Sequence, residues 1–353
     1  DISFAIVDIL GDYKDPNEAL IADKEAFIEK IKKAKLIKDE KLEEERIEYY
    51  KTSAGANIIS FIDEIHTAAD TPSIPTGFKQ LDNILDGGLY EGLYIVGAIS
   101  SLGKTTLITQ MADNIAQNGN DVLIFSLEMA RAELMAKSIS RHTLETTLAS
   151  GGDPRNAKTT RGITTGKRYA DYSGAEKDLI KAAITAYGKY AERIFISEGM
   201  GDIGAAQVRE EVKKHISFTG RTPIIVIDYL QILAPYNERA TDKQNTDKAV
   251  MELKRISRDF KTPVIAISSF NRHSYKDAVT MEAFKESGAI EYSSDVLMGL
   301  QLAGAGEQGF NPNEEKQKSP RNIELVILKN RNGKTGDKLI FKYYPPFNYF
   351  KEN

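Results

Sequence analysis

The chain has 353 residues, a length that suits about two domains or one large core. Its 51 acidic and 47 basic residues leave a net charge of −4, so it is not basic all over, though a local basic channel is compatible with that balance. Cysteine is absent, which excludes disulfides, thiolate nucleophiles and Cys-containing zinc sites, and no apolar run approaches the ~18 residues of a membrane span. The start, Asp1-Ile2-Ser3-Phe4, is not a signal peptide and lacks an initiator Met, so a fragment of a longer cytoplasmic protein is expected.

Residues 1–22 are mixed, with a turn-like Gly11-Asp12-Tyr13-Lys14-Asp15-Pro16 stretch. From Asp23 to Lys51, 18 of 29 residues are charged with alternating sign and few breakers, which predicts a solvated helical connector. Ala54 to Ala69 carries Ile58, Ile59, Phe61, Ile62 and Ile65 at helical spacing, one apolar stripe, and Thr71-Pro72-Ser73-Ile74-Pro75 breaks it. Short apolar runs then alternate with helical patterns. The runs are Leu93–Val96, Val122–Phe125, Ile194–Ile196, Ile224–Ile227 and Val264–Ile267; helices are expected at 104–118, 130–147, 174–191, 204–217 and 246–260. This alternation predicts an α/β fold with a mainly parallel sheet covered on both faces. Residues 148–170, rich in Gly and Thr, read as a long mobile loop. Val296–Leu302, Ile323–Lys329 and Lys338–Tyr344 read as C-terminal antiparallel strands, with a turn at Asn332-Gly333-Lys334. Tyr343-Tyr344-Pro345-Pro346-Phe347 reads as a packed hydrophobic tail rather than a base-stacking platform. The four histidines have no ligand spacing.

The chemistry concentrates in a few short segments. Ala98-Ile99-Ser100-Ser101-Leu102-Gly103-Lys104-Thr105 is a phosphate-binding loop, with Ala where the strict pattern has its first Gly. It follows an apolar strand and opens a helix, so backbone N–H groups from Ser100 to Thr106 and the helix N-terminus can cradle phosphate oxygens. Lys104 is placed to reach β and γ phosphates and the Thr105 hydroxyl to hold Mg²⁺. Asp228 ends one apolar strand, where a carboxylate suits Mg²⁺ binding. Glu128 ends another and is the candidate general base; the alternative is a cap on the helix beginning near Ala130. Ligands bind outside the carboxyl ends of parallel strands, so the loop, Glu128, Asp228 and Ser268-Ser269 should share one rim.

In sequence order, Thr76-Gly77-Phe78 with Leu81-Asp82, the loop at 98–105, Phe125-Ser126-Leu127-Glu128-Met129, Ile227-Asp228-Tyr229-Leu230-Gln231, Asn271-Arg272, Glu286-Ser287-Gly288-Ala289-Ile290-Glu291 and Lys329-Asn330-Arg331-Asn332-Gly333 resemble the RecA-like motor of DnaB-type replicative helicases, over about residues 74 to 346. The resemblance implies a RecA-like P-loop NTPase. It further implies a ring, usually a hexamer, hydrolysing ATP with Mg²⁺ between neighbours and moving on single-stranded DNA, with loader or replisome partners and no membrane. Glu128 would be the catalytic glutamate, and Lys329 and Arg331 would reach the γ-phosphate held by the next subunit. The segment Lys285, Glu286, Ser287 and Gly288 is similar to the family's DNA-tracking loop, with Lys where Arg is usual. Ala234–Lys243 should be a second channel loop, with Arg239 and Lys243 as candidates beside a plain solvated-loop reading. Ser269 stands where the family has a γ-phosphate-sensing Gln; its shorter side chain reaches phosphate only through water, which puts tight coupling of hydrolysis to movement in doubt. Tyr13 to Leu20 is similar to the tail of a Toprim-type primase domain, as in phage and mobile-element primase-helicases. The expected organisation is therefore 1–22 as an upstream tail, 23–73 as a helical linker and 74–353 as the ATPase. Two rivals stand beside a helicase: a RecA-like DNA-binding or remodelling ATPase that does not unwind, and a nucleotide-binding assembly subunit.

Overall fold

The computed structural model describes residues 7–69, 73–199, 203–270, 277–284 and 288–353, and the chain divides into two compact units, 1–72 and 73–353. In the first unit the helix Pro16–Ala22 starts at Asp15, whose carboxylate accepts from the Asn17 and Glu18 N–H groups at 2.9 Å. Asp23 ends it and caps the next helix, Lys24–Lys51, through the Ala26 N–H. In that long helix Phe27 is the buried residue and the charges face water. The helix Ile58–Ala69 follows, with Ile58, Ile59, Phe61, Ile62 and Ile65 exposed within this unit.

The second unit is built on one sheet of nine strands among the described residues. They are β1 (Gly92–Ala98), β2 (Val122–Ser126), β3 (Ile194–Glu198), β4 (Ile224–Asp228), β5 (Pro263–Ser269), β6 (Val296–Leu302), β7 (Arg321–Asn330), β8 (Lys338–Tyr344) and β9 (Tyr349–Glu352). The order is β3-β2-β4-β5-β1-β6-β7-β8-β9. From β3 to β6 all neighbours are parallel, and β6 to β9 pair antiparallel. The Val296–Leu302 strand is thus a correction: it runs parallel to β1 and only its other edge is antiparallel, which makes it the hinge between the two halves of the sheet.

Every residue of β1 and β4 is buried, as expected for strands covered on both faces. Because side chains alternate, Tyr94 and Val96 join one core with Leu107, Met111 and Ile115 of the helix Lys104–Gln117. Leu93 and Ile95 join the other, against Val208 and Val212 of the helix Ala205–Thr219 and Val250, Leu253 and Ile256 of the helix Asp242–Phe260. That last helix starts four residues before its expected start, because Thr241 and Gln244 form a capping box.

Residues 148–170 also differ from expectation. They fold into a 3₁₀ turn at Pro154–Asn156 and short helices at Thr160–Thr164 and Gly166–Asp171. Lys158 pins them: its carbonyl accepts from Ser140 Oγ at 2.7 Å, its N–H donates to Thr143 Oγ1 at 2.9 Å, and its ammonium meets Glu176 at 2.5 Å.

Candidate active site

The loop between β1 and the helix Lys104–Gln117 opens a cleft of about 510 Å³. Ser101 and Gly103 take left-handed backbone conformations, φ +66° and +90°. Glycine is required at 103 for a second reason: a Cβ there would lie 2.8 Å from Tyr343 Cζ and 2.9 Å from Phe350 Cζ. Those two rings stack at 4.3 Å, and Gln110 holds Phe350 in place by accepting its N–H and donating to its carbonyl, both at 2.8 Å. The C-terminal strands therefore back the phosphate loop. The reading of Tyr343 to Phe347 as a packed tail is half of the finding, since Tyr343 and Pro345 also line the cleft.

Lys104 folds back over the loop, donating to the Ala98 carbonyl at 2.9 Å and the Ile99 carbonyl at 3.4 Å. Burial lowers its pKa, opposed by the charges of Asp228 and Glu128. Asp228, at the tip of β4, has its carboxyl pushed up to about 6 by burial; the Glu128 charge adds to this, while a hydrogen bond from Thr105 and the charges of Lys137 and Lys104 pull it down. Glu128 and Ser269 complete the same wall, so the structure brings together the loop, Glu128, Asp228 and Ser269, whereas Ser268 is fully buried and does not line the cleft. Glu128 is not the helix cap: the N-terminal N–H at Arg131 is taken by the Glu198 carboxylate from β3, and Ala130 offers no side chain. Ser269 donates its N–H to Gln231 Oε1 at 3.4 Å, and Gln231 Nε2 donates to Ser268 Oγ at 2.9 Å.

Among the described residues no group of three or more His, Cys, Asp or Glu could hold a metal ion by itself. A hydroxyl bonded to a buried carboxylate is nonetheless the oxygen donor pair that Mg²⁺ takes when phosphate and water supply its other ligands, so Thr105 and Asp228 fit that ion.

Two cations in the cleft escaped sequence reasoning. Lys137 lies one helix beyond Glu128, its pKa lowered by burial against the charges of Glu133, Asp228 and Glu128. Arg321, at the start of β7, donates through Nη1 to the Ser101 carbonyl at 3.2 Å, and its buried Nε has no hydrogen-bond partner among the described residues. Neither sits in a local motif; only the fold brings them to the loop.

Lys329 and Arg331 lie elsewhere. Arg321 marks the cleft end of β7, and Lys329 is eight residues further along it, roughly 26 Å at about 3.3 Å per residue. Neither side chain spans that distance to its own cleft. Lys329 Nζ donates to the carbonyls of Glu291 at 2.5 Å, Tyr292 at 3.3 Å and Ser294 at 2.7 Å. Burial, and the neighbouring Arg331 charge, lower its pKa.

Of the segment expected to track DNA, Lys285, Glu286 and Ser287 lie outside the described residues, as do Asn271 and Arg272; Gly288 opens the helix Gly288–Ser293. Arg239 is exposed in the loop after β4, which Asn237 and Asn245 tie together, and Lys243 is exposed in the first turn of the helix Asp242–Phe260.

A glycine-lysine-threonine loop between a central parallel strand and its helix, with acids at the carboxyl ends of two other strands of the same sheet, β4 and β2, defines a P-loop NTPase. Residues 73–352 match the DnaB-like helicase C terminal domain, and the chain belongs to that family. It is 26% identical over 321 residues to the replicative DNA helicase DnaB of Helicobacter pylori, covering 80% of this chain and 60% of that protein. Identity to the replicative DNA helicase DnaC of Bacillus subtilis is 28% over 281 residues, 78% of this chain and 56% of that one. For the DnaB of Geobacillus stearothermophilus it is 29% over 272 residues, 74% and 53%. The chain thus spans between 53% and 60% of these curated relatives. The same fold is found in a solved ATPase domain, with TM-score 0.70 and 21% identity, covering 86% of this chain and 99% of that one. It recurs in a DnaB-like replicative helicase studied with its primase interactions, with TM-score 0.68 and 20% identity, covering 94% and 79%. No helix among the described residues is long and apolar enough to cross a membrane.

Proposed function

We propose that the chain is the motor of a replicative DNA helicase, hydrolysing ATP with Mg²⁺ and working as a homo-hexameric ring on single-stranded DNA. One observation carries this reading: the phosphate loop, Asp228 and Glu128 share a cleft, while Lys329 and Arg331 lie at the far end of β7, out of reach of that cleft, which supports their acting on the cleft of a neighbouring subunit. In such a ring, backbone N–H groups of Ser100 to Thr106 hold the phosphates and Lys104 swings from the Ala98 carbonyl to the β and γ oxygens. Thr105 and Asp228 would hold Mg²⁺, which when bound neutralises phosphate charge. Glu128 accepts the proton of the attacking water as the bond from the γ-phosphorus to the bridging oxygen breaks and ADP leaves. Arg331, with Lys329 beside it, stabilises the charge gathering on the neighbour's γ-phosphate.

For DNA, the exposed Arg239 and Lys243, the Gly288 backbone and Lys285 to Ser287 are the proposed channel contacts, giving salt-dependent binding indifferent to sequence. Residues 23–73 serve as a linker and 1–22 as the tail of an upstream, Toprim-like domain. A cytoplasmic replisome is the setting, and the structural relative solved for its primase interactions supports a partner of that kind for the whole protein.

Ser269 favours a second reading, a RecA-like ATPase that does not unwind, because a seryl side chain occupies the cleft position where a longer amide would meet the γ-phosphate. Strand displacement on a forked duplex separates them. ATP-dependent unwinding supports the helicase; ATP turnover without displacement moves the assignment to the second reading.

A further inference from the structure

Asp295 stands just before β6, at the rim away from the nucleotide, and its side chain is mostly buried. Three groups converge on it. The Leu93 N–H donates to Oδ2 at 2.7 Å, Lys254 Nζ reaches the same oxygen at 2.5 Å, and the Arg331 guanidinium stands 3.5 Å from Oδ1. The backbone repeats the pattern: the Asp295 N–H donates to the Leu93 carbonyl at 2.9 Å, and the Arg331 N–H donates to the Asp295 carbonyl at 2.8 Å. Arg331 therefore has both its main chain and its head group held on Asp295, with one further hydrogen bond from Nη2 to the Tyr292 carbonyl at 3.4 Å, and Asp295 is itself fixed to the first strand of the sheet and to the helix Asp242–Phe260. Lys329, two residues earlier, clamps the same segment through three carbonyls.

A long arginine just past a strand end samples many rotamers, and a charge-stabilising group is effective only when it is held in place before reaction. Lys254 also gives Asp295 a cation of its own, so the carboxylate does not need to grip Arg331 closely. At 3.5 Å the guanidinium is loosely held, and it is half exposed. From this geometry we infer that Asp295 is a positioning residue for Arg331, acting on the nucleotide cleft of the neighbouring subunit and not on its own. The inference rests on the proposed role of Arg331. Its rival is local: Asp295 touches the start of β1, whose other end carries the phosphate loop, so it would then act on its own cleft.

Mixed assemblies distinguish the two. The whole chain is prepared as Asp295→Asn, Arg331→Ala and the double variant, each mixed with Thr105→Ala subunits, which have a dead cleft but an intact finger. Asp295→Asn alone should lower kcat between roughly tenfold and a hundredfold at unchanged KM for ATP. Its turnover per subunit should rise when Thr105→Ala subunits are added, and the double variant should be no slower than Arg331→Ala. Rescue of Arg331→Ala but not of Asp295→Asn, or additive losses in the double variant, overturns the inference in favour of the local role. Failure of both rescues, or normal turnover by Arg331→Ala, brings down the shared-site reading itself and the inference with it. Should Asp295→Asn not fold, Lys254→Met loosens the same carboxylate, and must give the same rescue with a smaller loss.

Discussion

Replacing Asp228 with Asn should end turnover and at the same time stabilise the nucleotide-free chain. Burial at the tip of β4, reinforced by Glu128, holds the Asp228 carboxyl at about 6 against an ordinary 3.8. Between those values the folded state binds more protons than the unfolded state, so this group's contribution to stability is full at acid pH and falls as pH rises through the window. A shift of about two units corresponds to roughly 3 kcal/mol of destabilisation once the group is ionised in both states. Asn preserves the shape and can still accept from Thr105, without the buried charge. The variant should therefore gain roughly 2–3 kcal/mol near pH 8, on the order of 5 °C in Tm for a unit of this size, and almost nothing near pH 4. Unfolding of both proteins followed by circular dichroism across that range, without nucleotide or divalent ions, gives the answer. A gain independent of pH, or a loss near pH 8, would refute the account of this carboxylate.

Three further outcomes follow from the cleft. Glu128→Gln should bind nucleotide as the parent does and lose roughly 10²–10⁴-fold in turnover; unimpaired hydrolysis contradicts the assignment of the base. Gln110→Ala leaves the Phe350 N–H and carbonyl unpaired in the core, costing roughly 2–4 kcal/mol in a urea titration and weakening fluorescent-nucleotide binding through the loosened backing of Gly103. An effect on stability with affinity untouched would detach the C-terminal strands from the phosphate loop. Arg321→Gln should raise the Kd for ATP about tenfold, since the cation beside the Ser101 carbonyl is lost, and equal affinity would show that this guanidinium does not meet the nucleotide.

What the sequence made legible was whatever is local. Four of the five apolar runs from Leu93 to Ile267 are strands buried on both faces, and such runs stand out without alternation, while Ile194–Ile196 is the half-buried edge strand β3. The loop at 98–105, Asp228 and Glu128 were found because each adjoins a strand end, and parallel order carries strand ends to one rim. The covering of Gly103 by Tyr343 and Phe350 was invisible, since it joins residues some 240 apart and β9 has only four residues. Arg321 was missed for the same reason, standing 220 residues from the Ser101 carbonyl it meets, and Lys137 because nothing in its helical stretch marks it apart from a surface lysine. Residues 148–170 misled because each of their helices is under two turns. Caps such as Asp153 and Thr159, and the buried backbone of Lys158, order them where periodicity has no length to show. That Lys329 and Arg331 stand a strand's length from the cleft required the sheet order, which no local pattern gives.

The central claim, a DNA-driven motor whose active sites are shared between subunits, is tested most directly by measuring ATP turnover against single-stranded DNA concentration while recording oligomer mass in the same samples. Turnover stimulated by DNA and confined to the hexamer is the expected result. Turnover that ignores DNA, or that proceeds undiminished in a monomer whose Lys329 and Arg331 have no neighbouring cleft to enter, would contradict it.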